Sequence, residues 1–417
     1  MTDTARDRSA EARIRAQGCV TFAAFMDEAL YGPGGYYTSR ARLGGADADF
    51  YTSPELHPAF GASIGRFAAR IWAALGRPDH FDVVEGGPGT GALCRDLLTW
   101  AESDHPQFAA TIGYRLVETS PALREVQRDT LAAAGVPTDR VAWSTELGSK
   151  PIEGLILAHE LIDAFPVHVV AVRSGRLLER YVTLDHDDRL AWIEDEPSTP
   201  EIAAYFEWLG LMPGEGCIAE VNLAGPAWME RAGGQLRRGA ALVFDYGYPA
   251  ETLYHARRRH GTLLTYRNHA LGSDPLVRVG AQDITTHVDF TSLARAGERA
   301  GLATLGLIAQ ATLLPRLGLQ HYLGALDATR ISAGEHDQNR RAMLALIDPS
   351  GPGRVEALVQ TRDLDGFDPF DASSDPPARY LPLLRPGQMR LPGPLEAEGF
   401  VDLDKQWREL FGDAPDT

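Results

Sequence analysis

Glu85 stands directly before glycines at 86, 87, 89 and 91, at the end of the run 81-FDVV-84. Gly87, Gly89 and Ala92 satisfy a loose G-x-G-x-x-A spacing, so a dinucleotide loop has to be weighed. Three features oppose a phosphate ligand. Pro88 has no N–H to offer a pyrophosphate, and the charge of Glu85 repels one. Glu118, the acid closing 113-GYRLVE-118, lies 31 residues beyond Gly87 (118 − 87), whereas a dinucleotide fold places its ribose acid at about 20. No Lys-Ser/Thr pair follows, which also excludes a Walker loop. The same residues suit a ligand with a cationic amino-acid end and a ribose but no phosphate. Glu85 can hold an ammonium or sulfonium directly or through water, Gly87, Gly89 and Gly91 let the backbone approach closely, and Glu118 can accept both ribose hydroxyls. S-adenosyl-L-methionine is such a ligand, with S-adenosyl-L-homocysteine as its product.

A second group of acids follows the run 154-GLILA-158: Glu160 and Asp163 in 159-HELIDAFPV-167. A spacing of three points both carboxylates the same way if the segment makes one helical turn. Paired acids at a strand end can grip a guanidinium through charge-assisted hydrogen bonds. Arginine is protonated at neutral pH and a poor nucleophile, so acids that orient it and accept its proton supply what methyl transfer lacks. The competing reading is a helix N-terminus whose acids favour the dipole. Asp245, ending 240-AALVFD-245, and His287, in 283-DITTHVDF-290, are further candidates for the same cleft. Asp289 reads as an N-cap, and Glu220 and His57 as strand-end and helix-start residues. No His-x-x-x-His or dense carboxylate cluster occurs, so no metal site is expected.

These side chains need a parallel sheet to bring them to one edge. Residues 57–76 place Phe60, Ile64, Phe67, Ile71 and Leu75 three or four apart, the pattern of an amphipathic helix. Residues 91–103 read as a helix after the glycines. Residues 120–135 form another, with Ser120 as N-cap, Pro121 at the first position and Gly135 as stop. Short apolar strands at 113–118, 141–143, 154–158 and 240–248 complete an alternation of strands and helices. Residues 167–193 carry hairpin character around Ser174–Gly175, residues 197–236 are mainly helical, and helices follow at 289–300 and 320–347. The stretch 348–393 is rich in Pro, Gly and Asp and reads as irregular.

Composition narrows the partners. A net charge of −17 opposes a nucleic-acid backbone and is compatible with a cationic substrate. Only two lysines occur, Lys150 and Lys405, which disfavours Schiff-base chemistry. No run of about 18 apolar residues exists, so no membrane span is expected. The first 18 residues carry Asp3, Asp7 and Glu11 and lack an apolar core, unlike a targeting peptide. Cys19, Cys94 and Cys217 are far apart, which fits a reducing, cytoplasmic setting.

The stretches 25-FMDEALYGPGGYY-37, 50-FYTSPELHPAFG-61, 85-EGGPGTG-91, 114-YRLVETSPALR-124, 159-HELIDAFPVH-168, 244-FDYGY-248 and 261–290 together resemble the MidA/NDUFAF7 family of S-adenosylmethionine-dependent arginine methyltransferases. The resemblance covers about residues 20–315. It implies an α/β class I methyltransferase (Rossmann-like) fold, a mostly parallel sheet with helices on both faces plus a helical and β-hairpin insertion. It also implies that Thr52, Ser53 and Glu55 close over the cofactor. The family usually has leucine where Gly86 stands and Asn-Glu-Phe-Phe-Asp where this chain has 159-HELID-163. The expected organisation is an N-terminal helical segment (1–76), a core (77–166 and 237–315), an inserted subdomain (167–236), and C-terminal helices with an irregular tail (316–417). The expected activity is methylation of a guanidine-bearing acceptor, either free L-arginine or a related small guanidine of a bacterial pathway, or a protein arginine. Glu160 and Asp163 act there with His287 or Asp245 assisting. Rival readings are an oxygen or carboxylate methyltransferase and a cofactor-binding assembly factor without turnover. Long helical insertions are compatible with a homodimer.

Overall fold

The computed structural model describes residues 7–39, 52–267, 270–364, 366–368, 370–372, 375, 379–385 and 388. Its centre is a seven-stranded sheet built from β1 (Phe81–Gly86), β2 (Ile112–Val117), β3 (Val141–Ser144), β4 (Ile152–His159), β5 (Leu236–Asp245), β6 (Ala303–Ala309) and β7 (Glu356–Arg362). The order is β3-β2-β1-β4-β5-β7-β6. The pairs among β1 to β5 are parallel, and β7 runs antiparallel between β5 and β6. Strand order therefore reverses between β1 and β4, and open α/β sheets bind ligands beyond the carboxyl ends at such a point.

Alternate residues of each strand feed two cores, because successive side chains leave a strand on opposite faces. Val83, Leu155, Leu157, Leu242 and Phe244 meet one set of helices, Ala59–Ala74 and Ala92–Asp104. Val84, Ile156, Ala158, Ala241 and Val243 meet the other, Ala224–Gln235 and Phe290–Arg299. Burial on both faces explains the near-continuous apolar runs of these strands. Ser120 caps the helix Pro121–Ala133 by accepting from the Leu123 amide, and Asp289 caps Phe290–Arg299.

The hairpin at 174–175 forms as expected. Arg173 pairs with Arg176, and Ser174 and Gly175 both adopt positive φ (52° and 73°), the requirement of a two-residue turn between right-twisted strands. This second sheet also recruits the N-terminal strand Cys19–Thr21, whose Val20 pairs with Val182. The segment before residue 76 is therefore not purely helical.

A larger difference lies at the other end. Residues 356–362, inside the stretch read as irregular, form β7. Ala357, Leu358 and Val359 are fully or almost fully buried, and the Gln360 Nε2 donates to the Ala294 carbonyl and the Thr304 hydroxyl. Three apolar residues among Pro, Gly and polar neighbours give too short a periodic signal for a central strand. Part of the expected tail, 389–417, and residues 50 and 51 lie outside the described residues.

Beyond β7 the chain lies as a strap across the first two core helices. Asp375 bridges buried Arg66 (3.0 Å) and Arg70 (2.7 Å). Asp104 receives the amides of Arg379 and Tyr380, and Asn339 that of Leu384. The Gln388 side-chain amide donates to the Glu55 carbonyl at 3.4 Å. Removing one partner of a buried ion pair leaves an uncompensated charge. Asp375→Ala is expected to cost about 3–5 kcal/mol in chemical unfolding, and a loss below about 1 kcal/mol would mean that the strap is not anchored there.

Candidate active site

One cavity of about 820 Å³ opens at the carboxyl ends of β1, β2 and β4. Thr52, Glu55, Glu85, Gly87, Gly89, Glu118 and Glu160 line it. They meet there because Glu85 is the penultimate residue of β1 and Glu118 and Glu160 each follow directly on β2 and β4.

The glycine loop owes its course to left-handed backbone at Gly87, Gly89 and Gly91 (φ 61°, 51° and 79°), a region that favours glycine. The Gly91 amide donates to the Pro88 carbonyl at 2.8 Å and Gly91 caps the next helix, outside the cavity wall. At Gly89 an added Cβ would meet nothing within 4 Å, so the backbone there is bare to the cavity. At Gly86 an added Cβ would stand 3.1 Å from both Leu161 Cδ2 and Trp228 Cζ2. Trp228 and Leu161 thus fill the space that the usual leucine would take.

Glu85 is buried, and its Oε2 accepts the Tyr114 hydroxyl at 2.6 Å. Burial pushes its pKa up to about 8 despite that bond. Glu118 accepts the Ser120 amide on Oε1 (2.7 Å) and the Gln127 amide on Oε2 (3.3 Å). Gln127 also donates to the Gly89 carbonyl (2.9 Å), tying the two ligand-facing segments together. Glu55 Oε1 accepts the Thr90 hydroxyl at 3.0 Å, which fastens the Thr52–Glu55 segment over the glycine loop. Ser53 points away and exchanges hydrogen bonds with Gln310.

Glu160 has positive φ (48°), strained for a residue with a side chain and common at functional sites. Its amide donates to the Phe244 carbonyl at 2.9 Å. Its pKa is raised first by burial and then by Asp163, Glu55 and Asp283. The nearby base is His159, with Nδ1 3.6 Å from Glu160 Oε1, and burial lowers that imidazole to about 3.

Three expectations are corrected here. Residues 160–163 form no helical turn, so Asp163 sits behind Glu160, buried and off the cavity wall, its pKa raised by burial and by Asp245 and Asp283. Asp245 does not face the cavity. Its Oδ2 accepts the amides of Ile162 and Asp163 (2.9 and 3.2 Å) and its Oδ1 that of Tyr246, so it shapes the turn that presents Glu160. His287 packs against Tyr248 (5.3 Å) away from the wall, neutral through burial and the nearby charges of Arg354 and Arg258.

Other residues came to light only in the fold. Tyr31 and Tyr37 stack at 5.5 Å and form one wall. The Tyr37 hydroxyl donates to both oxygens of buried Asp283 (3.0 Å each). Asp283 stands four residues before His287, in a stretch already singled out for the wrong side chain. Nothing in the sequence marks Tyr37 as its partner, 246 positions away. Among the described residues, the only arginine or lysine on the wall is Arg231, against Asp27, Glu55, Glu85, Glu118, Glu146 and Glu160. A buried acid without a cation, a bare loop and a strand-end carboxylate together fit S-adenosylmethionine. Among the described residues no helix is long and apolar enough to cross a membrane. The one metal-capable cluster among them, Asp185–Asp187, lies elsewhere and consists mostly of exposed residues.

Residues 63–308 match the sequence profile of a family of S-adenosyl-L-methionine-dependent methyltransferases. The mitochondrial protein arginine methyltransferase NDUFAF7 of Mus musculus is 32% identical over 75% of this chain and 74% of its own length. The human protein is 31% identical over 75% and 73%. A crystal structure of a Burkholderia thailandensis protein bound to S-adenosyl-homocysteine is 31% identical, covers 90% of this chain and 96% of that one, and superposes with a TM-score of 0.77. The chain belongs to this family of S-adenosyl-L-methionine-dependent methyltransferases.

Proposed function

We propose that the protein methylates a guanidinium nitrogen of arginine. One observation carries this reading: Glu160, on the cavity wall at the strand-order reversal, is buried with Asp163, Glu55 and Asp283 as the charged groups that act on it. Burying like charges together is costly unless a cation arrives to share them. The names of the relatives, protein arginine methyltransferases, support the same class of acceptor.

When bound, S-adenosylmethionine supplies a methyl group on a sulfonium. Gly87 and Gly89 would lie against its amino-acid portion, Glu85 would hold the cationic end, and Glu118 would receive the ribose hydroxyls. Thr52 and Glu55 would cover it, with Thr90 as the latch. Glu160 aligns the guanidinium; as the nitrogen lone pair takes the methyl, the C–S pair stays on sulfur and an N–H proton passes to the Glu160 carboxylate. A raised pKa makes that carboxylate a competent base. Asp163 raises the pKa of Glu160 further. Three free cysteines support a reducing, cytoplasmic location.

Incubation with labelled S-adenosylmethionine tests the acceptor, comparing free L-arginine with a whole-cell protein extract. Label on dimethyl- or monomethylarginine in either arm supports the reading; label only on carboxylate or hydroxyl groups overturns it.

Glu85 adds a pH test. Its pKa near 8 leaves it mostly protonated at neutral pH in the ligand-free protein. A cationic ligand stabilises the ionised form, so binding releases a proton. Affinity for S-adenosylhomocysteine should rise with pH and level off above about 8. Calorimetry in buffers of different ionisation enthalpy between roughly pH 6.5 and 8.5 measures that release, and its absence would remove Glu85 from the cofactor contacts.

A further inference from the structure

Of the three acids that act on Glu160, one is within reach of a ligand. Asp163 is 8% exposed and off the cavity wall, and Asp283 is 1% exposed and accepts the Tyr37 hydroxyl. Glu55 is half-buried and lines the same cavity as Glu160. The carboxylate that shares the wall with Glu160 therefore comes from 105 positions earlier in the chain (160 − 55).

The fold fixes where that carboxylate stands. Glu55 lies in the short turn Ser53–Leu56, and its amide donates to the Thr52 carbonyl at 3.0 Å. Leu56 is fully buried, and Ser53 exchanges hydrogen bonds with Gln310. The helix that follows carries Phe60, whose ring meets that of His159 at 5.0 Å, and His159 directly precedes Glu160. This packing brings the two segments into one neighbourhood.

The bonds Glu55 makes do not account for its charge. Oε1 accepts the Thr90 hydroxyl at 3.0 Å, and the Thr52 amide lies against the carboxylate. An ionised carboxylate accepts about four hydrogen bonds, so capacity remains. The latch to Thr90 needs only an acceptor oxygen, which glutamine would supply with no charge to desolvate. Arg95 attracts Glu55, but Asp96 holds that guanidinium at 2.8 and 2.7 Å. Among the described residues no cation forms an ion pair with Glu55. Two acids on one cavity wall without a cation suit a ligand that brings one.

We propose that Glu55 is the second carboxylate of the acceptor site, gripping the guanidinium together with Glu160. The inference rests on the arginine reading above. A guanidinium has five N–H donors in one plane and no acceptor, so it has an edge for each acid. Two anchors fix its plane, where a single one would let it turn. The methylguanidinium product keeps its positive charge after one proton has left. Glu160 takes that proton, and Glu55 stays ionised as the partner of the product. A hydroxyl acceptor, with one donor and no charge, cannot serve both acids.

The test uses full-length protein and the variants Glu55→Gln, Glu160→Gln and the two combined. Calorimetry measures affinity for S-adenosylhomocysteine, then affinity of that complex for N-acetyl-L-arginine methylamide. Labelled S-adenosylmethionine measures the rate of transfer to arginine in a whole-cell protein extract. Glu55→Gln keeps the oxygen that Thr90 needs and should bind S-adenosylhomocysteine within about threefold of wild type. Its probe affinity and transfer rate should fall about tenfold to a hundredfold, the range for hydrogen bonds to a charged group. Acids that grip one guanidinium are coupled. The double variant should therefore lose at least about threefold less probe affinity than the product of the single losses.

Probe affinity and transfer by Glu55→Gln within about threefold of wild type overturn the inference and leave the arginine reading intact. So does a loss of S-adenosylhomocysteine affinity as large as the loss of probe affinity, which makes Glu55 a cofactor residue. Single losses that multiply in the double variant also overturn it, since the two acids then act separately. Where the probe does not bind wild type, transfer to the extract decides on the same terms. If wild type neither binds the probe nor labels arginine in the extract, the arginine reading fails and takes this inference with it.

Discussion

Glu160→Gln lowers kcat by at least about a hundredfold, within the range for loss of a positioned acid–base group, and leaves S-adenosylhomocysteine affinity within about twofold. Glutamine keeps the size and shape of the side chain and the strained turn at 160, so alignment of the loop survives. What disappears is the charge that holds a guanidinium and the base that takes its proton. The stability of the variant separates this from misfolding. The pKa of Glu160 is raised in the folded protein by burial and by its acidic neighbours, so the folded state holds the proton more tightly than the unfolded one. Stability from this group is complete below the unfolded value and falls as pH rises. Neutral glutamine abolishes that penalty. The ligand-free variant should therefore unfold no earlier than wild type at neutral pH, and later in alkali. An oxygen methyltransferase would lose little by the change; retention of more than about a third of wild-type kcat would sink the guanidinium role.

Glu118→Ala has the second large effect, on the cofactor rather than the acceptor. The carboxylate already serves Ser120 and Gln127, and Glu118 lines the cavity. Two hydrogen bonds from ribose hydroxyls to an ionised group contribute about 3 kcal/mol or more together, equivalent to a hundredfold or greater rise in the dissociation constant of S-adenosylhomocysteine. Glu118→Gln keeps one acceptor oxygen and should fall about midway. Calorimetry at fixed pH decides it. Alanine and wild type binding within threefold of each other would mean that the ribose lies elsewhere.

The sequence was readable where chemistry and local structure coincide. An acid ahead of glycines, a strand closing in Glu118 and an acid after a buried strand are each contained in a dozen residues, and local backbone rules place them at strand ends. Where a residue's task is set from far along the chain, reading failed. Asp245 looked like a cleft acid because it ends a strand, yet it is consumed by two amides more than eighty positions away. His287 looked like a base because it is a histidine among polar residues, yet the fold closes Tyr248 over it. Tyr37 and Asp283 could be joined only once the N-terminal helices and the second sheet were in place.

The position of β7 has a consequence for how the protein is made. The strand that separates β5 from β6 is drawn from residues 356–362, so everything upstream leaves the ribosome while the flank of β5 is still an open template for other chains. The turn on which Glu160 sits hangs from the end of that same strand through Asp245, which pairs with Glu356. A nascent polypeptide thus completes this cavity only once residues 356–362 have been made. Truncation before Glu356 should yield sticky, inert fragments that chaperones must shield rather than shortened enzymes with partial activity.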